Sequence, residues 1–196
     1  MSREVYASGD GYILYPLADV DRENYIELQL RLNGDDATFL ATGINNTIWE
    51  DTVNDDNSRY FSIYKENGEY CGCIELQNYQ SNTPEIGISL IESKRNQGIA
   101  AKVVKLLVQK VCQECNIDYF LLKIMSDNSH SKHVFEKMGA VPIGEVIPSM
   151  LLLNKLKETL SEDVFNLMND IVESQTEDIF EKELIYEYKL PPETFL

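Results

Sequence analysis

The hydrophobic period of this chain changes sharply around residue 95, and that change limits its fold more than any other feature. After Pro84, residues 85–91 alternate Ile86, Ile88 and Leu90 with Glu85, Gly87 and Ser89, the period of two expected of a strand. Across residues 99–115 the period becomes about 3.6. Val103, Val104, Leu107, Val111 and Cys112 form one stripe there, and Lys102, Lys105, Gln109 and Gln113 form the opposite face. Residues 119–125 are an apolar strand again, and 128–138 a second helix, stopped by Gly139 at a left-handed cap position. Strand, glycine-bearing loop, helix, strand is a βαβ unit, which requires two parallel strands.

The flanks add elements of other kinds. Residues 11–17 (GYILYPL) predict a first strand, ended by Pro16 and an acidic turn at 19–21. Asp21 is placed to cap a helix whose buried stripe is Tyr25, Ile26, Leu28 and Leu30. Residues 33–58, rich in Asn, Asp and Thr, predict short helices and loops. Two runs at 59–64 and 70–76 flank Asn67-Gly68, the strongest two-residue hairpin signal. Residues 148–172 read as one or two amphipathic helices with Ser161 as a cap between them, and 184–190 as a last strand before Pro191-Pro192. With no internal repeat and no low-complexity linker, 196 residues make one domain spanning 1–196.

Charge narrows the partners. The net charge is −16, unevenly placed: residues 1–70 carry −9, residues 145–196 carry −8, and residues 71–144 carry +1. Nucleic acid and anionic membranes would be repelled over most of such a surface, so neither is an expected partner. Only the middle segment suits a polyanionic ligand, although acidic surfaces also serve solubility alone. No apolar run approaches the ~18 residues of a membrane span. The opening MSREVYASGDGY lacks the apolar stretch of a secretory signal, so the expected location is the cytoplasm. Cys71 and Cys73 fall on a strand and Cys112 and Cys115 on a helix with apolar neighbours, which reads as buried thiols and not a zinc site. His130 and His133 have no carboxylate at ligand spacing and read as surface residues, so no metal is expected.

The chemistry concentrates in Arg95-Asn96-Gln97-Gly98-Ile99-Ala100, between the third strand and its helix. A glycine lets a ligand approach the backbone. The first N–H groups of a helix lack internal partners, and the helix dipole puts partial positive charge there, so the loop suits a pyrophosphate. Arg95, with Lys94 beside it, would add charge-assisted contacts. No G-K-[ST] follows, so this is not a Walker loop, and it has too few glycines for a dinucleotide fingerprint.

Two separated segments together resemble the GNAT acetyltransferase superfamily. Arg95-x-x-Gly98-x-Ala100 after a strand is similar to that family's R/Q-x-x-G-x-G/A pyrophosphate loop. Asn128-x-x-Ser131-x-x-Val134-Phe135-Glu136-Lys137-Met138-Gly139-Ala140 is similar to its N-x-x-S-x-x-L-Y-E-K-x-G-F segment. About 28 residues lie between Ala100 and Asn128, room for one helix and one strand. Pro84-Glu85-Ile86-Gly87 resembles the branch that acetylates ribosomal-protein N-termini, and Tyr15-Pro16-Leu17 resembles the family's first strand. The likeness runs best from about residue 59 to 144; residues 146–183 have no counterpart in the minimal fold and are expected to be a helical insertion.

This resemblance implies an α+β fold with a mixed, splayed central sheet flanked by helices, and acetyl-CoA as co-substrate. Backbone groups of Leu90 and Ile91 would pair with the pantetheine arm. The N–H groups of Gln97, Gly98, Ile99, Ala100 and Ala101, beside Arg95 and Asn96, would hold the pyrophosphate. Asn128 and Ser131 would line the thiol end, while local chemistry alone makes Asn128 a helix cap. The reaction is then direct attack of an amine on the thioester in a ternary complex. An ammonium with pKa ~10.4 must first lose a proton to a carboxylate. Glu85 is the first choice of base and Glu75 the second; Lys123 stands where some relatives have a glutamate.

The family's thiolate-protonating tyrosine is Phe135 here, which cannot donate a proton. Departure of a bare thiolate, pKa ~8.5, forfeits about 2 kcal/mol at neutral pH, which slows the reaction without abolishing it. Ser131, another tyrosine or water would fill the role; the alternative is a catalytically degenerate acyl-CoA-binding sensor or interaction protein. The acidic flanks point to a cationic acceptor: a peptide N-terminus, lysine, polyamine or aminoglycoside. The stripe Leu152, Leu156, Leu160, Phe165, Met168 and Ile171 fits an acceptor cover, a homodimer contact or ordinary core equally well.

Overall fold

A computed structural model describes residues 3–32, 44–147 and 184–195. The chain divides into two compact units, Met1–Phe120 with Pro191–Leu196, and Leu121–Leu190. The amphipathic stripe expected at 148–172 and most of the insertion at 146–183 lie outside the described residues.

The first unit is built on five strands in sequence order, each antiparallel to the next: β1 (Ala7–Gly9), β2 (Tyr12–Pro16), β3 (Ser58–Lys65), β4 (Tyr70–Gln77) and β5 (Glu85–Leu90). The β3–β4 hairpin turns at Asn67-Gly68, as its sequence predicts. Gly68 has φ +86°, the Gly68 N–H donates to the Lys65 carbonyl (2.9 Å), and the Asn67 side chain accepts from the Glu69 N–H (3.1 Å). Among the described residues three helices accompany these strands: α1 (Arg22–Leu32), α2 (Ile44–Val53) and α3 (Ile99–Glu114).

Strand register sorts the side chains between two faces. One face carries Leu14, Phe61, Ile63 and Ile74, and the side chains of α3 meet it: Lys102 lies over Tyr12 and Lys110 over Tyr6, which itself stacks on Phe61. Of the stripe read from the 3.6 period, Val103, Val104 and Leu107 are fully buried and Val111 nearly so, whereas Cys112 is only partly buried; Val108, outside that stripe, is fully buried as well. The other face carries Tyr60, Cys73 and Glu75, and there α1 and α2 pack Tyr25, Ile26, Leu28 and Trp49 against Cys73 and Tyr60. Leu30 of the expected stripe is only partly buried.

Asp21 is not the N-cap its position predicts: it ends a 3-10 turn, Asp19–Asp21, whose N-cap is Ala18. Asp21 is fully buried and accepts from the Ala18 N–H (3.1 Å), the Tyr64 hydroxyl (2.8 Å) and Arg3 Nη1 (2.9 Å). That short turn leads into α1, and the same carboxylate ties down the segment before β1. These three donors replace the water a buried charge loses.

The second unit contains β6 (Phe120–Met125), α4 (Ser129–Lys137), β7 (Val141–Val146) and β8 (Ile185–Leu190), with strand order β6, β8, β7 and an antiparallel β7–β8 pair. The sequence pattern does not announce β1 or β7. Among the described residues no helix is long and apolar enough to cross a membrane, and no group of His, Cys, Asp or Glu is arranged to hold a metal ion.

Candidate active site

The loop after β5 forms as its residues dictate. A 3-10 turn, Glu92–Lys94, is closed by N–H bonds from Lys94 to Ile91 (2.9 Å) and from Arg95 to Glu92 (3.1 Å). Two left-handed residues then follow, Asn96 with φ 61° and Gly98 with φ 71°, and α3 begins at once. Gly98 is the N-cap of that helix, and as a glycine it has no side chain with which to cap it. A Cβ built on Gly98 would meet nothing within 4 Å, so open space lies over the helix start. A 16-residue helix begins there, and the first amides of a helix lack internal partners, the arrangement an anionic group requires. The residues present fit the pyrophosphate of a coenzyme A.

The flanking side chains are already partly committed. Arg95 Nε donates to the Leu90 carbonyl (3.2 Å) and Gln97 Nε2 to the Ser93 carbonyl (2.7 Å), which stiffens the loop from inside. The Ile91 N–H pairs with the Cys71 carbonyl at 3.1 Å, continuing the β4–β5 ladder. Lys94 is drawn to Glu69, which also holds Lys65 (3.1 Å), and those two ammonium groups hold the Glu69 carboxyl below its ordinary range. Arg95 is therefore the loop's exposed cation, and Lys94 serves the hairpin.

On the α1 side of the sheet the two candidate bases occupy different places. Glu75 sits in the middle of β4, opposite Tyr60 on β3 and Gly87 on β5. Its carboxylate lies across Gly87: a Cβ there would come within 2.8 Å of Glu75 Cγ and 2.9 Å of Cδ and would collide with Oε1. Burial raises the Glu75 carboxyl above its ordinary range, and the Gln77 amide, donating to Oε1 at 3.0 Å, opposes part of that shift. Glu85 begins β5 opposite Gln77, two residues further from Leu90. Tyr60, pushed up to about 12 chiefly by burial, keeps its proton at neutral pH.

A pocket of about 490 Å³ opens on the same side, between α1 and the end of β5. Leu28, Tyr70 and Ile91 form its apolar wall, and Glu27, Arg31 and Glu92 its charged rim. Glu27 and Arg31 pair with each other at 2.6 Å, which leaves Glu92 to set the sign of the mouth.

In the second unit, Asn128 is the N-cap of α4, its side chain accepting from the Ser131 N–H at 3.0 Å. Lys132 donates to the Ser126 carbonyl (2.7 Å) and lies over the Tyr186 ring at 4.1 Å. Phe135 is buried with 6% of its surface exposed and serves packing. Tyr188, which no sequence pattern singles out, donates to Glu136 Oε1 at 3.2 Å. The strand position of Tyr188 becomes meaningful only once β8 is known to pair with β7.

Comparison with known proteins bears on the same residues. The sequence model of a family described as acetyltransferase (GNAT) domain matches residues 14–141. A search of curated proteins found no match. In fold the chain is similar to the spermidine N-acetyltransferase of Vibrio cholerae in complex with CoA and spermine. That match has a TM-score of 0.66 at 14% identity, over 95% of this chain and 99% of the other. A chimera of the Vibrio cholerae enzyme and hSSAT gives 0.66 at 14% identity, over 95% and 98%. The spermidine/spermine N-acetyltransferase of Vibrio cholerae in complex with manganese ions gives 0.63 at 14% identity, over 94% and 95%. At this identity the likeness establishes the fold, the α+β class expected from the sequence. The family match runs from within β2 to the first residue of β7 and includes both the Arg95–Ala100 loop and the Asn128 segment. The chain therefore belongs to the GNAT acetyltransferases and is an acetyl-CoA-dependent N-acetyltransferase.

Proposed function

We propose that this enzyme works in the cytoplasm, transferring the acetyl group of acetyl-CoA to a small cationic amine by direct attack within a ternary complex. The observation that carries the reading is the start of α3 at Gly98, a left-handed N-cap glycine whose Cβ position faces open space. The amides of Gln97, Gly98, Ile99, Ala100 and Ala101, with Arg95 and Asn96, would hold the pyrophosphate, and the Leu90–Ile91 backbone would guide the pantetheine arm. Four free cysteines suit a reducing compartment.

The amine class follows from charge. The chain carries −16 overall, and the pocket beside Ile91 has a carboxylate, Glu92, at its mouth. A polycation gains from such a field on approach. Spermidine and spermine, named for the structural neighbours, are accordingly the first acceptors to test. A carboxylate of this chain takes the proton that the ammonium must lose, and the neutral amine attacks the thioester carbon. Ser131 or water returns a proton to the thiolate, since the buried Phe135 has none to give. Asn128 and Ser131 owe these roles to the motif they belong to, and variants in α4 test them separately.

The test is a thermal-shift comparison of acetyl-CoA, CoA, ATP and NAD, followed by mass spectrometry with an amine panel. The expected result is stabilisation by the two coenzyme A species alone, and acetylation of polyamines ahead of neutral amines. Greater protection by ATP would overturn the cofactor reading. Turnover of neutral or anionic amines only would overturn the acceptor reading. Tight CoA binding without turnover of any amine would favour an acyl-CoA sensor.

A further inference from the structure

We propose that Glu75, not Glu85, is the group that takes the proton from the acceptor ammonium, and that Gly87 is glycine to make room for it. The assignment rests on the acetyltransferase reading above and adds to it the residue that accepts the proton.

The geometry favours Glu75 in three respects. First, it stands mid-strand on the sheet face that α1 and α2 cover, with Tyr60 and Gly87 beside it across the two neighbouring strands. Any side chain on Gly87 would occupy the space its carboxylate fills. Second, position along the sheet separates the two glutamates. Gly87, which marks the row of Glu75, is three residues from Leu90, whereas Glu85 is five. At ~3.4 Å per residue the row of Glu75 is about 7 Å nearer the strand end where the pantetheine arm is expected. Third, the environment of Glu75 suits a base. Its carboxylate is largely withdrawn from water and accepts from the Gln77 amide on Oε1. A carboxylate so placed binds a proton more readily than one in water, which brings it closer to the ammonium it must deprotonate.

The charged and titratable groups around it are Tyr60 from β3, Cys73 from β4, Glu85 from β5, Tyr25 from α1 and Asp55 after α2. Cys73 is buried and its thiol is pushed well above its ordinary range, while burial raises both tyrosines. None of these three competes as a base at neutral pH. The step balances simply. One N–H proton of the ammonium passes to a Glu75 oxygen, and the freed electron pair attacks the thioester carbon. A C–N bond forms and the C–S bond breaks. The adduct nitrogen loses its second proton, the thiolate gains one, and Glu75 returns its proton to solvent.

The experiment compares wild type, Glu75→Gln, Glu85→Gln and Gly87→Ala, using the amine that wild type turns over. The readouts are kcat and KM across pH, with acetyl-CoA affinity measured separately. Glu75→Gln keeps the shape and the Gln77 neighbour, so it tests chemistry and not folding. It should lower kcat at pH 7 by about 10²-fold or more, within the range general-base loss produces. The deficit should shrink as pH rises and more of the amine is neutral, with acetyl-CoA affinity unchanged. Gly87→Ala, which displaces the carboxylate, should follow in the same direction. Glu85→Gln should stay within about threefold of wild type. Retention of kcat by Glu75→Gln, or a larger loss in Glu85→Gln, overturns the assignment while leaving the acetyltransferase reading intact. A wild type that turns over no amine sinks that reading, and the assignment with it.

Discussion

Replacing Gly98 by valine separates what the loop does for the fold from what it does for the ligand. Gly98 holds φ 71°, a conformation that costs a residue with a Cβ about 1–2 kcal/mol. For a domain of this size each 1 kcal/mol lowers Tm by roughly 2–4 °C, so the strain alone predicts a modest fall. The valine would stand in open space beside the start of α3, because apart from its chain neighbours no atom lies within 4 Å of the Cβ position to push it aside. A phosphate seated there would be lifted off one or two amides. At ~1.5–3 kcal/mol for each hydrogen bond to a charged group, the loss is about 3 kcal/mol, or roughly 10²-fold in affinity for coenzyme A. Gly68 is a matched control. It has φ +86° and nothing within 4 Å of its Cβ position, but it sits in the β3–β4 turn. Gly68→Val should lower Tm by a similar amount and leave coenzyme A binding unchanged. Titration calorimetry on both variants and wild type decides the matter. Affinity of Gly98→Val within twofold of wild type, or equal losses in the two variants, would refute the reasoning.

Three further outcomes follow from other parts of the molecule. Leu107 is fully buried in the stripe of α3, so Leu107→Ala should cost about 3 kcal/mol and lower Tm by roughly 6–12 °C in calorimetry. Asn128→Ala removes the side chain that accepts from the Ser131 N–H and should cost ~1 kcal/mol in denaturant unfolding, whereas Asn128→Asp keeps the acceptor and should cost little. Glu75→Gln should stabilise the protein at neutral pH. Burial raises its carboxyl in the folded state, so that state binds the proton more readily than the unfolded chain does. Stability therefore falls as pH rises from the unfolded value, ~4.3, through the folded one, and the glutamine escapes that loss. Melting curves of the two proteins should differ at pH 7 and converge below pH ~4.

What could be read from the sequence is what depends on local chemistry. Asn67-Gly68 determines a hairpin wherever it falls between two strand-forming runs, and the stripe Val103, Val104, Leu107 needs a helix to become one surface. Arg95-x-x-Gly98-x-Ala100 combines a turn, a helix start and a candidate anion site in six residues, so it is legible without neighbours. By contrast, β1 is three residues, Ala7–Gly9, whose identity as a strand comes from pairing with Tyr12–Leu14 and not from any pattern of its own. β7 contains Pro142 and Gly144 and leaves Val141 and Ile143 exposed, so it lacks the alternation that marks a half-buried strand.

The environment of the candidate base belongs to two strands at once. Read singly, β4 and β5 each offer one glutamate, and Glu85, at the start of β5, is the first choice. Register distinguishes the two: it sets Glu75 against Gly87, with the carboxylate in the gap the glycine leaves, and puts Glu85 at the far end beside Gln77. The same holds for Lys94, which stands next to Arg95 in sequence yet pairs with Glu69, 25 residues earlier. A residue's chemistry in this enzyme is thus set by its type and its cross-strand partner together. Substitutions at Gly87 should accordingly disturb the proton transfer as surely as substitutions at Glu75.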